Sequence, residues 1–405
     1  MKIKRCLILY NSFSREHEYL SNIKAILESN FNVSTKIISR YPSSSLIKTG
    51  IAFKPNVILT FPFTSEGLST EMHLLKFILK CKIISLRTEG VFNYEDPMSL
   101  KWAKGQDNYS KYLVDFEIFW GPKSAKVIGE MLLDSNKITS LKRIKYYGFP
   151  KWDIESKIDD ELKNIKDYIL NNSYDKTLLF VTGFHLSNYD NIEIISSAKD
   201  IPEDDISRTI RFSNLTKKFK RKLETSINAA AKDCPNTFFI VKIHPLESFE
   251  DYSFNADFKN ILIIKENKSV NDLLSISDYF FHYGSTSAAE AYLLKKPVFY
   301  YYDIPLNEYF SDLRWPSSSQ ILIKNLYKFL IKKEYKNFSA LTSKKTEEVL
   351  KDQFNYIEGE EYKPSFSLAK LISEDTNAQQ IPFYDKYFLR SLLKFISKSI
   401  KNIFK

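Results

Sequence analysis

Glycine is scarce in this chain, ten in 405 residues, and the usual glycine-rich phosphate loops are missing with it. There is no Walker A sequence and no GxGxxG, so neither the P-loop nor the dinucleotide fingerprint is available. HExxH is absent too, and acidic pairs such as Asp204-Asp205 sit in charged, loop-like surroundings that make no convincing metal cluster. The three cysteines, Cys6, Cys81 and Cys234, are far apart and show neither pairing nor zinc spacing. That argues against a disulfide framework and fits a reducing cytoplasm. No segment approaches the roughly 20 apolar residues needed to span a bilayer. The opening "MKIKRCLILYNSFS" has a short apolar run and no small-residue cleavage site, so it reads as a strand rather than a signal peptide. Repeats, heptads and Gly/Ser linkers are also missing.

What is present is a globular composition, 43% hydrophobic and 27% charged. A chain of 405 residues exceeds one typical core, so two domains are expected. The net charge of +10 fits nucleic acid, a membrane surface or a phosphorylated substrate. Its distribution narrows the choice. "DKYFLRSLLKFISKSIKNIFK", residues 385–405, has six basic residues against one acid, with apolar residues at helical spacing. Such a basic amphipathic helix either lies in an anionic membrane interface or packs on its own domain.

Short apolar runs alternate with helix-like segments. Strands are expected at Arg5–Tyr10, Asn56–Phe61, Lys82–Arg87, Phe116–Trp120, Leu178–Thr182, Thr237–Ile243, Ile261–Lys265, Tyr279–His282 and Pro297–Tyr301. Helices are expected at His17–Ser29, Glu66–Leu79, Lys123–Leu133, Asp159–Leu170, Asn214–Ala231, Val270–Ser275, Ser287–Leu294 and Lys344–Asp352. This alternation predicts an α/β fold of two doubly wound parallel sheets. The boundaries read as 1–155, 172–340, and C-terminal helices over 341–405 that either cap the second domain or cross back to the first. Ligands of such sheets sit outside the carboxyl ends of the strands.

Several polar groups fall at those ends. His244-Pro245 follow an apolar run directly; the proline fixes the chain, and an imidazole held there can donate to a phosphate. In "HYGSTSAAEA", Gly284 allows close backbone approach, and Ser285, Thr286 and Ser287 supply hydroxyls ahead of a helix carrying Glu290. N-capping explains one of the three hydroxyls. Glu290 either holds ribose hydroxyls or caps a neighbouring element. Glu89, in "RTEG", is a general base, a sugar-hydroxyl binder or a solvated turn residue. Asp153, in "YYGFPKWD", lies in a cleft or on a hinge. Gly183 and His185, in "FVTGFH", belong to the first loop of the second domain, where a donor nucleotide or its sugar would make contact.

Together, "RTEG", "FWGPKSAKV", "YGFPKWD", "IHPLE" and "STSAAEAYLLKKP" resemble, in the same order, the motif set of bacterial GT-B transferases that use CMP-activated sugars. The likeness is to sialyltransferases and Kdo transferases, and most of all to surface carbohydrate biosynthesis proteins with retaining β-Kdo transferase domains. It spans Arg87 to Pro297. "VNDLLSISDYFFHYGSTS" is also similar to CDP-glycerol glycerophosphotransferases. The resemblance implies two Rossmann-like domains facing a cleft, and metal-independent transfer of Kdo or a related ulosonic acid to a growing surface polysaccharide. It implies no cofactor, the CMP-sugar being a co-substrate, and a lipid-linked or oligosaccharide acceptor rather than nucleic acid. The cysteines point to a cytoplasmic location, and residues 385–405 either contact the inner membrane face or pack on their own domain. Glu89 would act on the acceptor or stabilise the transition state, and Asp153 matches a proposed nucleophile. His244 would contact the CMP phosphate, and Ser285 and Thr286 would hold it. Thr88 departs from the pattern, where relatives carry a second acid. A CDP-glycerol-type phosphotransferase, a nucleotide-sugar 2-epimerase on the same architecture, and a non-catalytic polysaccharide assembly protein are the alternatives.

Overall fold

The computed structural model describes residues 4–11, 13–40, 44–62, 66–87, 100, 110–153, 159–184, 187, 203–255, 257–265, 268–307, 320–338, 350–352, 354–355, 363–374, 378–383 and 385–403. The chain divides into two units, Met1–Glu155 with Glu347–Lys405, and Ser156–Thr346.

The first unit holds strands β1 (Lys4–Tyr10), β2 (Val33–Ser39), β3 (Val57–Thr60), β4 (Lys82–Leu86), β5 (Phe116–Phe119) and β6 (Ile144–Tyr146). They form one sheet in the order β2-β1-β3-β4-β5-β6, and every pairing is parallel. The central strands are buried along nearly their whole length, so "LILY" and "VILT" read as continuous apolar runs rather than alternations. Helices α1 (Phe13–Phe31), α2 (Ser44–Phe53), α3 (Glu66–Leu79) and α4 (Pro122–Asp134) connect them. At the carboxyl edge of this sheet the buried guanidinium of Arg40 donates to Asn11 Oδ1 at 3.0 Å and to the Pro62 carbonyl at 2.9 Å. It thereby ties the ends of β1, β2 and β3 together.

The second unit contains β7 (Lys176–Val181), β8 (Thr237–Lys242), β9 (Ile261–Ile264), β10 (Tyr279–His282), β11 (Val298–Tyr302) and β12 (Gln320–Leu322). Their order is β12-β11-β10-β7-β8-β9, again all parallel. Its helices are α5 (Asp160–Asn171), α6 (Glu203–Asp233), α7 (Val270–Ser275), α8 (Ala288–Leu293), α9 (Ile304–Asn307) and α10 (Ile323–Ile331). Stacked rings join the two central strands, Phe180 on Phe281 at 4.5 Å. Helix α6 begins eleven residues earlier than its periodicity indicates, so Asp204-Asp205 lie in its first turn and not in a loop.

The C-terminal helices α11 (Pro364–Ser373) and α12 (Lys386–Ile403) cross back to the first unit. Lysines at two strand starts hold the carboxyl end of α11. Lys4 Nζ donates to the carbonyls of Ser373 at 2.8 Å and Glu374 at 2.7 Å, and Lys82 Nζ to that of Glu374 at 3.0 Å. Cations suit that end of a helix. The buried Asp115 carboxylate accepts from Lys76 Nζ at 2.6 Å, Ile83 N at 2.8 Å and Gln379 N at 2.5 Å. Asp385 caps α12 through Tyr387 N and Phe388 N, and also accepts from Ser110 Oγ. All three cysteines are buried thiols. Burial pushes Cys6 and Cys81 up to about 12, so neither supplies a thiolate near neutral pH.

Candidate active site

Within the second unit, counting its own strands, the order 6-5-4-1-2-3 reverses direction between β7 and β10. That reversal opens a crevice outside the carboxyl ends, where ligands of doubly wound sheets bind. In the register, Val181 of β7 faces His282 of β10 on one side and Lys242 of β8 on the other. The three loops that follow carry Gly183, His244 and Gly284–Ser287. Gly183, His244 and Gly284–Ser287 therefore converge on one sheet edge.

A buried carboxylate organises two of the loops. Glu247, 1% exposed, accepts from Thr182 Oγ1 at 2.5 Å, His244 N at 2.9 Å and Tyr252 Oη at 2.7 Å, and also from Phe184 N. Thr182 further bonds its own N–H to the Lys242 carbonyl at 3.1 Å. Burial first, and then the Glu247 charge, raise the Tyr252 phenol well above its ordinary range, so Tyr252 stays a donor. The Lys220 ammonium of α6 lies over the Tyr252 ring, 4.2 Å from its centroid. Burial holds that ammonium below its usual range, partly offset by Asp251, Glu224 and Glu247.

His244 is half-buried at the rim of this network. Its Nδ1 accepts the Leu246 N–H at 3.2 Å. In the neutral ring the proton then resides on Nε2, which acts as the donor. Pro245 is exposed beside it.

The third loop is built in the same way. Gly284 adopts φ +60°, a left-handed conformation that disfavours any side chain. Buried His282, the last residue of β10, accepts Ser285 N–H at its Nδ1, 3.2 Å away. Ser285 Oγ in turn accepts from Ser287 N at 3.2 Å. Ser287 is the N-cap of the six-residue α8 and makes no side-chain cap bond. One hydroxyl, that of Ser285, thus serves the turn itself. Glu290 lies one turn into α8 and is buried. Gly183 packs against this loop, and a Cβ there would sit 3.7 Å from the Tyr283 carbonyl oxygen. Beneath, Phe219 of α6 meets Tyr283 edge-on at 4.8 Å and Phe184 at 5.6 Å, and Tyr301 Oη donates to the Val181 carbonyl at 3.0 Å. Asp303, which no sequence motif claims, pairs with Lys222 of α6 at 2.5 Å.

Asp153 belongs to the first unit, on a 3-10 turn over Pro150–Asp153. Its Oδ2 accepts Ser365 N at 2.6 Å and its Oδ1 accepts Ser365 Oγ at 2.7 Å. It therefore caps the start of α11 from a distant part of the chain. Burial raises this carboxyl above the usual range, and the Ser365 hydrogen bonds pull the other way. Trp120, Phe149, Trp152 and Phe354 cluster beside it, with Trp120 stacked on Phe149 at 4.6 Å. Thr88, Glu89, Gly90 and His185 lie outside the described residues.

Glu247, present in the sequence reading only as the end of "IHPLE", and His282 are the residues to which sequence reasoning gave no role. Glu247 has one signal, its place three residues after His244. That spacing lets a side chain return to the preceding N–H, as in a capping box. His282 has none, because it ends an apolar strand.

No family model matches the chain, and no curated protein sequence matches it. Solved structures do. The S. aureus MnaA–UDP co-structure is similar over 100% of this chain and 98% of that one, with TM-score 0.54 and 12% identity. The wall teichoic acid polymerase TagF aligns over 92% of this chain and 89% of its own, with TM-score 0.53 and 14% identity. The UDP-GlcNAc 2-epimerase of Methanocaldococcus jannaschii aligns over 92% and 99%, with TM-score 0.50 and 14% identity. Identities this low carry the fold alone, and the fold is the two-domain α/β architecture of the GT-B type.

Proposed function

We propose that this chain is a nucleotide-sugar-dependent GT-B enzyme, a glycosyltransferase that moves Kdo or a related ulosonic acid from a CMP donor to a growing bacterial surface polysaccharide. The observation that carries this reading is the convergence at the β7/β10 switch point. His244, with its proton on Nε2, and the Ser285–Ser287 loop stand at one strand edge, fixed by Glu247 and His282. When the bond from the anomeric carbon to the CMP phosphate breaks, its electron pair leaves with the phosphate oxygen. A preorganised imidazole N–H and loop hydroxyls stabilise that developing charge. Thr286 and Ser287 supply the hydroxyls, and Glu290 and Gly183 shape the floor for the rest of the nucleotide. Glu89 is the proposed activator of the acceptor. Asp153 is the proposed nucleophile of a double displacement, released from Ser365 when it reacts.

The test is a panel of CMP-Kdo, CMP-sialic acid, CDP-glycerol and UDP-GlcNAc, with and without an oligosaccharide acceptor, read by nucleotide release and by conversion of the donor to its C2 epimer. CMP release with CMP-Kdo is expected, with His244→Ala lowering kcat by about a hundredfold or more. Turnover of UDP-GlcNAc without acceptor, and of no cytidine donor, would make the chain an epimerase instead. Asp153→Ala tests the nucleophile against Ser365→Ala, which removes the hydroxyl donor but keeps the carboxylate; equal, normal turnover by both removes Asp153 from the chemistry.

A second reading rests on "VNDLLSISDYFFHYGSTS" and on the fold likeness to TagF. It keeps the cytidine nucleotide and changes the transferred group to a glycerol phosphate. CDP-glycerol in the panel separates the two.

A further inference from the structure

Helix α12 carries a wider apolar sector than its packing uses. Phe388, Ser391 and Leu392 form the seam that faces the first unit, with Phe388 stacked on Phe77 of α3 at 4.2 Å. Leu389, Leu393 and Ile396 follow at spacings of four and three, which puts them on a neighbouring seam of the same helix. Leu389 is partly buried, Leu393 is 67% exposed and Ile396 is 45% exposed. Phe395 is exposed as well. On adjoining elements Phe383, 64% exposed, stands 6.3 Å from the Phe77 ring, and Ile78 of α3 is exposed too. Along the other border run Lys386, Arg390 and Lys394, all exposed at i, i+4 and i+8. Asp385, the one acid of residues 385–405, is occupied in capping α12 and holding Ser110.

We propose that this α3–α12 face docks on a bilayer surface carrying anionic headgroups. Apolar side chains next to a row of cations match the two halves of such an interface, an acyl boundary and a negative surface. A second copy of the chain is a poorer occupant. A two-fold contact on this face would bring the rows Lys386, Arg390 and Lys394 of both copies together, with the acid already engaged. Among the described residues no helix is long and apolar enough to cross a membrane, so the helix lies on the surface. This inference stands independently of which donor the enzyme uses.

The experiment is co-sedimentation of the full chain with vesicles of phosphatidylcholine, with and without phosphatidylglycerol. Binding is expected with phosphatidylglycerol and not with phosphatidylcholine alone. Leu393→Asp with Ile396→Asp lowers the partition coefficient at least about tenfold. Lys386→Gln with Arg390→Gln and Lys394→Gln lowers it about a hundredfold, from about fivefold per cation. Leu170→Asp, an equally exposed leucine on α5, leaves it unchanged. Circular dichroism checks that each variant keeps its helix. Three results overturn the proposal: equal binding to both vesicle types or to neither, no effect of the 393/396 pair, or a dimer in light scattering that Leu393→Asp dissociates.

Discussion

Glu247→Gln tests the keystone of the candidate site while changing almost no volume. The carboxylate serves four donors: Phe184 N–H at Oε1, and Thr182 Oγ1–H, His244 N–H and Tyr252 Oη–H at Oε2. An amide can keep its one oxygen toward the triple cluster. Its NH2 then points at the Phe184 N–H, where an acceptor is needed. One bond is lost outright, one buried donor is stranded, and the other three lose their charge assistance. At about 1 to 3 kcal/mol for a stranded buried group, plus the weakened bonds, the cost is about 3 kcal/mol. For a unit of this size that lowers Tm by about 6–12 °C. Differential scanning calorimetry measures the shift, and hydrogen exchange at the Phe184 and His244 amides locates it. Under the proposed function, affinity for cytidine monophosphate falls in parallel, because the loops with Gly183 and His244 lose their common tether. A Tm within about 1 °C of the parent, with unchanged protection at both amides, would refute the tethering role.

Three further outcomes follow from the geometry. His73 is buried, donates from Nδ1 to the Ser69 carbonyl at 2.5 Å and accepts Ser110 N–H at Nε2, and burial lowers its pKa from 6.5 to about 4. The unfolded chain therefore takes up a proton below pH 6.5 that the folded chain refuses until about pH 4. Stability should fall across that window by up to about 3 kcal/mol and be unaffected above it, and urea titrations of His73→Gln should lack the slope. Gly284→Ala, forced to hold φ +60°, should cost about 1–2 kcal/mol in denaturant melts. Gly183→Ala meets only an ordinary contact at 3.7 Å and should melt like the parent while binding cytidine monophosphate more weakly; unchanged binding would free that backbone from ligand contact.

The sheet interiors were legible because strands buried on both faces spell unbroken apolar runs. The edges were not. The strands β2, β6 and β12, absent from the sequence reading, all lie at sheet edges, and the last two span three residues each. A half-exposed edge such as "VSTKIIS" mixes polar and apolar residues and loses the signal. The site divides along similar lines. His244 and Ser285–Ser287 stand out as polar groups directly after apolar strands. The partners that fix them depend on tertiary proximity, Glu247 reaching back to Thr182 and Phe184 across sixty-odd residues. Asp153 shows the same limit, since its hydrogen-bond donor, Ser365, is more than two hundred residues away. Of the tail's two alternatives, packing on the chain itself is met by Phe388 and Leu392, while Leu393 and Ile396 are exposed.

The return of α11 and α12 has a consequence for how the molecule is made. The second unit is one continuous stretch of chain and is complete once residue 346 has been synthesised. The first unit begins earlier yet finishes last. Until the final helices emerge, Lys4 and Lys82 lack the carbonyls they bind, Asp115 lacks Gln379, and Phe77 lacks Phe388. Synthesis order and completion order are thus reversed, and the nascent amino-terminal sheet waits with an uncovered apolar flank while the later unit is already whole. A polypeptide cut short after residue 346 would retain all of the second unit and lack the contacts that α11 and α12 give the first.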